Sequence, residues 1–217
     1  MVKERFSKPQ ALRFGWDIWK KNIGFFMAVL FISFLVRLAP AFLAAIFKDE
    51  APFVSALANI FYSLIGIIIS IGFIKIALSF CKGKQPEIAD LFRGYRFFFI
   101  FLFGSILYGL IFLGGVVLLV VPAIIWGIQF QFFTYFIIDQ KAGPIEALKR
   151  SSRITRGVKF ELFIFNMMVL GINLLGLLAF GVGVLVSAPV TMLATAFVYR
   201  KLLEAERHQP AVEVLLK

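Results

Sequence analysis

The chain has 217 residues, of which 61% are hydrophobic, 17% aromatic and 16% charged, with a formal net charge of +11 and a mean hydropathy of +0.93. A water-soluble domain of this composition has too few polar groups to cover its surface, so the solvent it requires is lipid. The positive charges stand between apolar blocks rather than on a soluble body, which argues against nucleic acid as a partner and for anionic headgroups on the cytoplasmic side.

The first ten residues, MVKERFSKPQ, are polar, and no small-residue cleavage pattern follows a short apolar core, so the first apolar run is expected to be retained rather than removed. Residues 9–22, PQALRFGWDIWKKN, predict an amphipathic surface helix. Arg13, Asp17, Lys20 and Lys21 cluster on one side, with Leu12, Trp16, Ile18 and Trp19 on the other. Trp16 and Trp19 suit interfacial anchoring, because the indole ring is apolar and its N–H needs a polar partner; packing into a protein core is the competing reading. Residues 23–47 predict the first span. Arg37 lies far enough along it to snorkel to the opposite headgroups near Pro40, with an intramembrane site as its alternative role. A short connection at 48–52 with Asp49 and Glu50 leads to a second span over 53–80, where Lys75 is close enough to the inner end to snorkel.

Residues 81–96, CKGKQPEIADLFRGYR, predict a second surface segment that opens at Pro86, shares Ile88, Leu91, Phe92 and Tyr95 on one face, and closes at Arg93-Gly94. Cys81 is the single cysteine, so no internal disulfide forms, and its surroundings lack metal-ligand spacing. No charge occurs from 97 to 138, a run long enough for two spans, at about 97–115 and 120–138. Gly114-Gly115 and Pro122 bracket the turn between them.

The third surface segment is the clearest. In GPIEALKRSSRITRGVKF, 143–160, a wheel at about 100° per residue puts Lys149, Arg150, Arg153 and Arg156 in one sector and Ala147, Leu148, Ile154 and Val158 opposite. Pro144 suits the first helical position and Gly157 a left-handed residue after the last turn, the form of a helix lying along a membrane surface. Spans five (160–180) and six (184–203, interrupted by Pro189) follow. A polar tail over 204–217 contains the single histidine, His208.

Internal similarity supports three units. RGYRF at 93–97 matches RGVKF at 156–160, and LGGVVLLVVP at 113–122 matches FGVGVLVSAP at 180–189. The predicted fold is therefore all-α: one integral membrane domain over 1–217, with about six transmembrane helices in three hairpins. Each hairpin is preceded by a cytoplasmic interfacial amphipathic helix, in repeat-like units of about 9–80, 86–138 and 144–203. Apart from Arg37 and Lys48, every Lys and Arg falls in the inner segments or near an inner span end, so both termini are expected in the cytoplasm of a prokaryotic cell membrane.

No acid lies at a predicted midplane, and no paired carboxylates, Ser/His/Asp set, metal motif or phosphate loop occurs. The expectation is a non-enzyme without a cofactor. Gln129 and Gln131 in span four and Asn166 and Asn173 in span five form a candidate intramembrane polar site, read as helix packing first and as a small-solute transporter or channel path second. The basic faces are the sharpest feature. Lys149, Arg150, Arg153, Arg156, Lys159, Arg93, Arg96, Lys20 and Lys21 are the candidate residues for binding anionic lipid headgroups, a protein partner or a second copy of the chain.

The run AGPIEALKRSSRITRGVKFELF, the segments LGGVVLLVVPAIIWG and FIID before it, and the early ALRFGWDIWKKN resemble a family of poorly characterised prokaryotic multi-pass proteins. They are similar to the membrane domain that accompanies some glycerophosphoryl diester phosphodiesterases. The resemblance implies a helical membrane domain of about six spans. The acidic metal-binding cluster of the phosphodiesterase is absent from this sequence, so that activity is not carried over.

Overall fold

The computed structural model describes residues 5–48, 51–118, 120–179 and 181–215, those at 120 and 208–215 by backbone only. Asp49 and Glu50 of the expected outer connection lie outside the described residues, as does the side chain of His208. Among the described residues the regular structure is helical, with no strand.

Helix α1, Lys8–Lys21, starts with Pro9 in its first turn and ends at Asn22, whose side-chain amide donates to the carbonyl of Ile18 at 2.8 Å. Helices α2, Ile23–Ile46, and α3, Pro52–Cys81, follow and pack on each other, tied near their connection by Ser55 Oγ donating to the Ala44 carbonyl at 2.9 Å. Helix α4, Phe98–Leu118, packs on α5, Val120–Phe130. Two short helices come next, α6, Phe133–Gln140, and α7, Pro144–Ile154, and then α8, Lys159–Leu178, which packs on α9, Val184–Leu215.

Five stretches among the described residues are long and apolar enough to cross a bilayer: Ile23–Ile46, Pro52–Cys81, Ile88–Leu118, Val121–Gln140 and Lys159–Leu178. Their outer faces are large, apolar and uncovered; Phe53 is 75% exposed, Phe99 69%, Val117 85% and Leu178 78%. Apolar surface on this scale is incompatible with water and fits a multi-pass membrane protein. Helix α9 is not among the five. It carries Ser187, Pro189, Thr191 and Thr195 before Arg200 and Lys201, and it packs against α1, α3 and α8. Leu193, Ala194, Ala196, Val198 and Tyr199 on it are buried, and the Tyr199 ring meets Phe132, Tyr135 and Phe136 at centroid distances of 6.0, 5.2 and 5.2 Å.

The structure corrects the sequence reading in three places. The second surface segment is not an amphipathic helix: it forms two 3₁₀ turns, Ile88–Leu91 and Tyr95–Phe97. The first turn is closed by a capping box between Glu87 and Asp90, and the segment is pressed onto α3 so tightly that a Cβ on Gly72 would lie 2.0 Å from the Leu91 carbonyl oxygen. Lys75 does not snorkel; it reaches Asp90 at 3.0 Å. The fourth apolar run is not one helix but breaks at Gln131 and Phe132, between α5 and α6. Helix α9 continues through Glu204 and Glu206 to Leu215.

The amphipathic faces are used inside the protein. On α7, Ala147, Leu148 and Ile154 are buried, as is Val158 just beyond it, and the helix packs on α4, α5 and α6. On α1, Ala11 and Gly15 are buried against α9, and a Cβ on Gly15 would stand 2.3 Å from the Val190 carbonyl oxygen. The apolar stripe of α7 thus completes a protein core, whereas on α1 Leu12, Ile18 and Trp19 are half-buried and Trp16 stays exposed.

Candidate functional site

The densest polar arrangement lies where α5 gives way to α6. A helix break frees backbone groups, and away from water those groups need partners within the protein. Helix α7 supplies them. Ser151 Oγ accepts the Phe132 N–H at 3.1 Å and donates to the Gln129 carbonyl at 3.0 Å, and Thr155 Oγ1 donates to the same carbonyl at 3.1 Å. Both Ser151 and Thr155 are fully buried, one helical turn apart on the apolar face of α7.

The side chains around the break are linked as well. Gln129 Nε2 donates to Ser152 Oγ at 2.8 Å, and Lys159 Nζ donates to Gln129 Oε1 at 2.6 Å. Asn166 Nδ2 donates to Gln131 Oε1 at 3.0 Å, while the buried Gln131 Nε2 has no hydrogen-bond partner. Two turns further along α8, Asn173 Nδ2 donates to Thr191 Oγ1 of α9 at 3.1 Å. The four candidate amides are therefore hydrogen-bonded between elements. Lys159, placed by sequence with the basic face, turns inward to one of them.

Ser151, Ser152 and Thr155 were not singled out from the sequence. Their signal was present in SSRIT: hydroxyls at i and i+4 on the same side as Ala147, Leu148 and Ile154 interrupt an apolar stripe. Such residues are placed to serve a partner's backbone when the stripe is covered by protein.

The rest of the basic set divides. Arg150 donates to Gln140 and to Glu146, Arg153 is 3.7 Å from Glu206, and Arg93 is 2.9 Å from Glu87. Arg96 is exposed over the Tyr95 ring, its Cζ 5.9 Å from the centroid. Lys20, Lys21, Lys149 and Arg156 are exposed, and none of the four makes an ion pair among the described residues. Gln140, Arg150, Arg153, Glu206 and Arg207 line a cavity of about 420 Å³ between α6, α7 and α9. Gly157 closes the α7 segment at φ +82°, the left-handed geometry expected of it, and Pro144 takes the first helical position. Trp16 is 46% exposed and stands 5.3 Å from the half-buried Trp19, whose buried Nε1 has no partner.

A family model described as "Protein of unknown function (DUF975)" matches residues 105–206, from within α4 to within α9, which includes the whole helix break and the α7 face. An uncharacterised protein of Mycobacterium bovis is 32% identical over 147 residues, covering 65% of this chain and 45% of the relative. An uncharacterised protein of Mycobacterium tuberculosis strain H37Rv is 31% identical over the same length and coverage. The chain spans about half the length of the curated relatives it matches, 45% in each case. No solved structure matches it. Over its second half, then, the chain is similar to a family of unknown function, and over a larger share to uncharacterised mycobacterial proteins.

Proposed function

We propose that this is a non-catalytic integral membrane protein of the prokaryotic cell membrane that gathers anionic lipid headgroups at its basic inner face. In this reading α9 is a sixth span, shielded by its neighbours, and both termini face the cytoplasm. The single observation that carries the proposal is the orientation of α7. Its apolar stripe and two hydroxyls are used up on the protein core, which leaves Lys149 and Arg156 facing outward beside the cavity that Arg150, Arg153 and Arg207 line. A basic residue near an anionic surface contributes about 1 kcal/mol, so three or four of them give a strong local preference.

The alternative, a small-solute path through the polar residues of α5 and α8, is the weaker reading, because Gln129, Gln131, Asn166 and Asn173 are hydrogen-bonded between elements. A protein partner at the same basic face would be read by the same residues.

The test is lipid recovery. Lys149, Arg153 and Arg156 are replaced together by Gln, and the variant is extracted from a membrane of mixed anionic and zwitterionic lipid in lipid-preserving particles. The expected result is a several-fold fall in co-purifying anionic lipid with normal insertion. Recovery equal to the parent protein would overturn the proposal.

A further inference from the structure

Three guanidiniums border one recess at the charged end of the molecule. Arg150 and Arg153, three residues apart and so neighbours on the surface of α7, line a cavity of about 420 Å³ together with Arg207 of α9 and Gln140 at the end of α6. Glu206 of α9 is the one carboxylate of the lining, which leaves two positive charges in excess. The arginines are unequally engaged. Arg150 is held in place, one Nη donating to Gln140 and the other to Glu146, which stands outside the lining. Arg153 only approaches Glu206, its Nε 3.7 Å from Oε1 and beyond hydrogen-bond reach. Among the described residues neither Arg153 nor Arg207 makes a side-chain hydrogen bond, and Arg207 makes no ion pair.

Like charges gathered around one recess repel one another, and an anion between them removes that cost. A guanidinium donates through five N–H groups in a planar fork that matches phosphate oxygens two at a time, so forks from two helices can hold one tetrahedral anion from two sides. Phe136 and Leu203, both buried, complete the lining as an apolar wall. That wall offers no acceptor to compete for the arginines, and it suits the carbon body of an ester. Small-molecule sites run from about 300 to 1,000 Å³, so this cavity has room for a phosphate with a small organic body. Its two excess charges match a phosphomonoester, which carries about −1.5 to −2 at neutral pH, better than a singly charged phosphodiester.

We propose that this cavity seats a phosphomonoester, its terminal phosphate held between Arg153 and Arg207, with Arg150, oriented by Gln140, as the third donor. On binding, Arg153 exchanges its long approach to Glu206 for the anion. A soluble phosphate ester and a lipid headgroup that ends in a phosphomonoester offer the same chemistry. The seat rests on the functional reading above only in placing α7 at the cytoplasmic surface. It gives the recess a ligand of its own, distinct from the headgroups gathered by the outward-facing Lys149 and Arg156.

The test is calorimetric titration of the purified full chain, in nanodiscs of phosphatidylcholine, with methyl phosphate and with dimethyl phosphate, beside native mass spectrometry of the same proteins with phosphatidic acid. The parent is compared with Arg207→Gln, Glu206→Gln and Arg156→Gln, the last of which removes the same charge outside the cavity. Arg207→Gln is expected to bind the monoester about tenfold more weakly and Glu206→Gln several-fold more tightly, with Arg156→Gln unchanged and dimethyl phosphate the weaker ligand throughout. Arg207-dependent binding of methyl phosphate identifies a soluble ester, and Arg207-dependent binding of phosphatidic acid alone identifies a headgroup; either supports the seat. Binding of neither, or equal losses in monodisperse Arg207→Gln and Arg156→Gln, overturns it. If the seat fails while lipid recovery still falls in the Lys149, Arg153 and Arg156 triple variant, the broader reading stands. A seat in the parent with unchanged recovery in the triple variant overturns the broader reading alone.

Discussion

Lys82 Nζ stands 2.5 Å from Oδ1 of Asp139, joining the end of α3 to α6, and the Asp139 side chain is only 6% exposed against 37% for Lys82. The second carboxylate oxygen accepts the Tyr199 hydroxyl of α9 at 3.2 Å. Three elements distant in sequence are thus joined through one carboxylate. Because Asp139 is the buried member, losing its cation is the costly change. Lys82→Met is expected to destabilise by about 2 kcal/mol, below the range for a fully buried pair because Lys82 is partly solvated. Adding Asp139→Asn to Lys82→Met should recover part of that loss, since the uncompensated charge is gone. Unfolding midpoints of the two singles and the double in one detergent check this; a double variant no more stable than Lys82→Met would refute the assignment of Asp139 as the costly partner.

At the helix break, Ser151 serves two backbone groups and Thr155 one of the same two. Ser151→Ala leaves the Phe132 N–H without its acceptor and is expected to cost about 1–3 kcal/mol, whereas Thr155→Val, which leaves the Gln129 carbonyl its Ser151 bond, should cost about 1 kcal/mol. Together they remove both hydroxyls from that carbonyl, so the double variant should lose more than the sum of the singles. Reversible unfolding in mixed micelles measures all three. Strict additivity would mean that the two hydroxyls act independently.

Glycines in the first two helices should behave in opposite ways. Gly15 meets the α9 backbone, so Gly15→Ala forces α1 and α9 apart and is expected to lower stability by about 1–3 kcal/mol. Gly24, in the first turn of α2, has nothing within 4 Å of a built Cβ, and Gly24→Ala should be neutral or stabilising by up to about 1 kcal/mol. Thermal midpoints of the two variants decide the matter. Equal effects would show that the contact of α1 with α9 is not tight.

Much of the architecture could be read from local pattern. The apolar runs are long, and their lengths alone place α2, α3, α4 and α8 to within a few residues of the expected spans. The third segment was legible down to its ends, with Pro144 opening it and Gly157 in the left-handed region, because φ restriction is a property of the residue and its neighbours. The division of α7 into a basic and an apolar side was legible for the same reason: helical periodicity is set within a few turns of one chain segment.

What covers each face was decided only by tertiary structure. An apolar stripe such as Ala147, Leu148 and Ile154 reads the same whether its cover is acyl chain or protein, since both are apolar, and the packing of α4, α5 and α6 made it protein. The break at Gln131 and Phe132 sits in a run without a charge and is stable because Ser151 and Thr155, about twenty residues onward, take up the freed backbone groups. Likewise the 81–96 segment has the apolar positions of a surface helix, but the close seat of Leu91 on Gly72 and the Lys75–Asp90 pair tighten it into 3₁₀ turns. Hydropathy and periodicity are sums over neighbours along the chain, whereas the partner of a polar group or an exposed face is chosen by contacts between residues far apart in sequence.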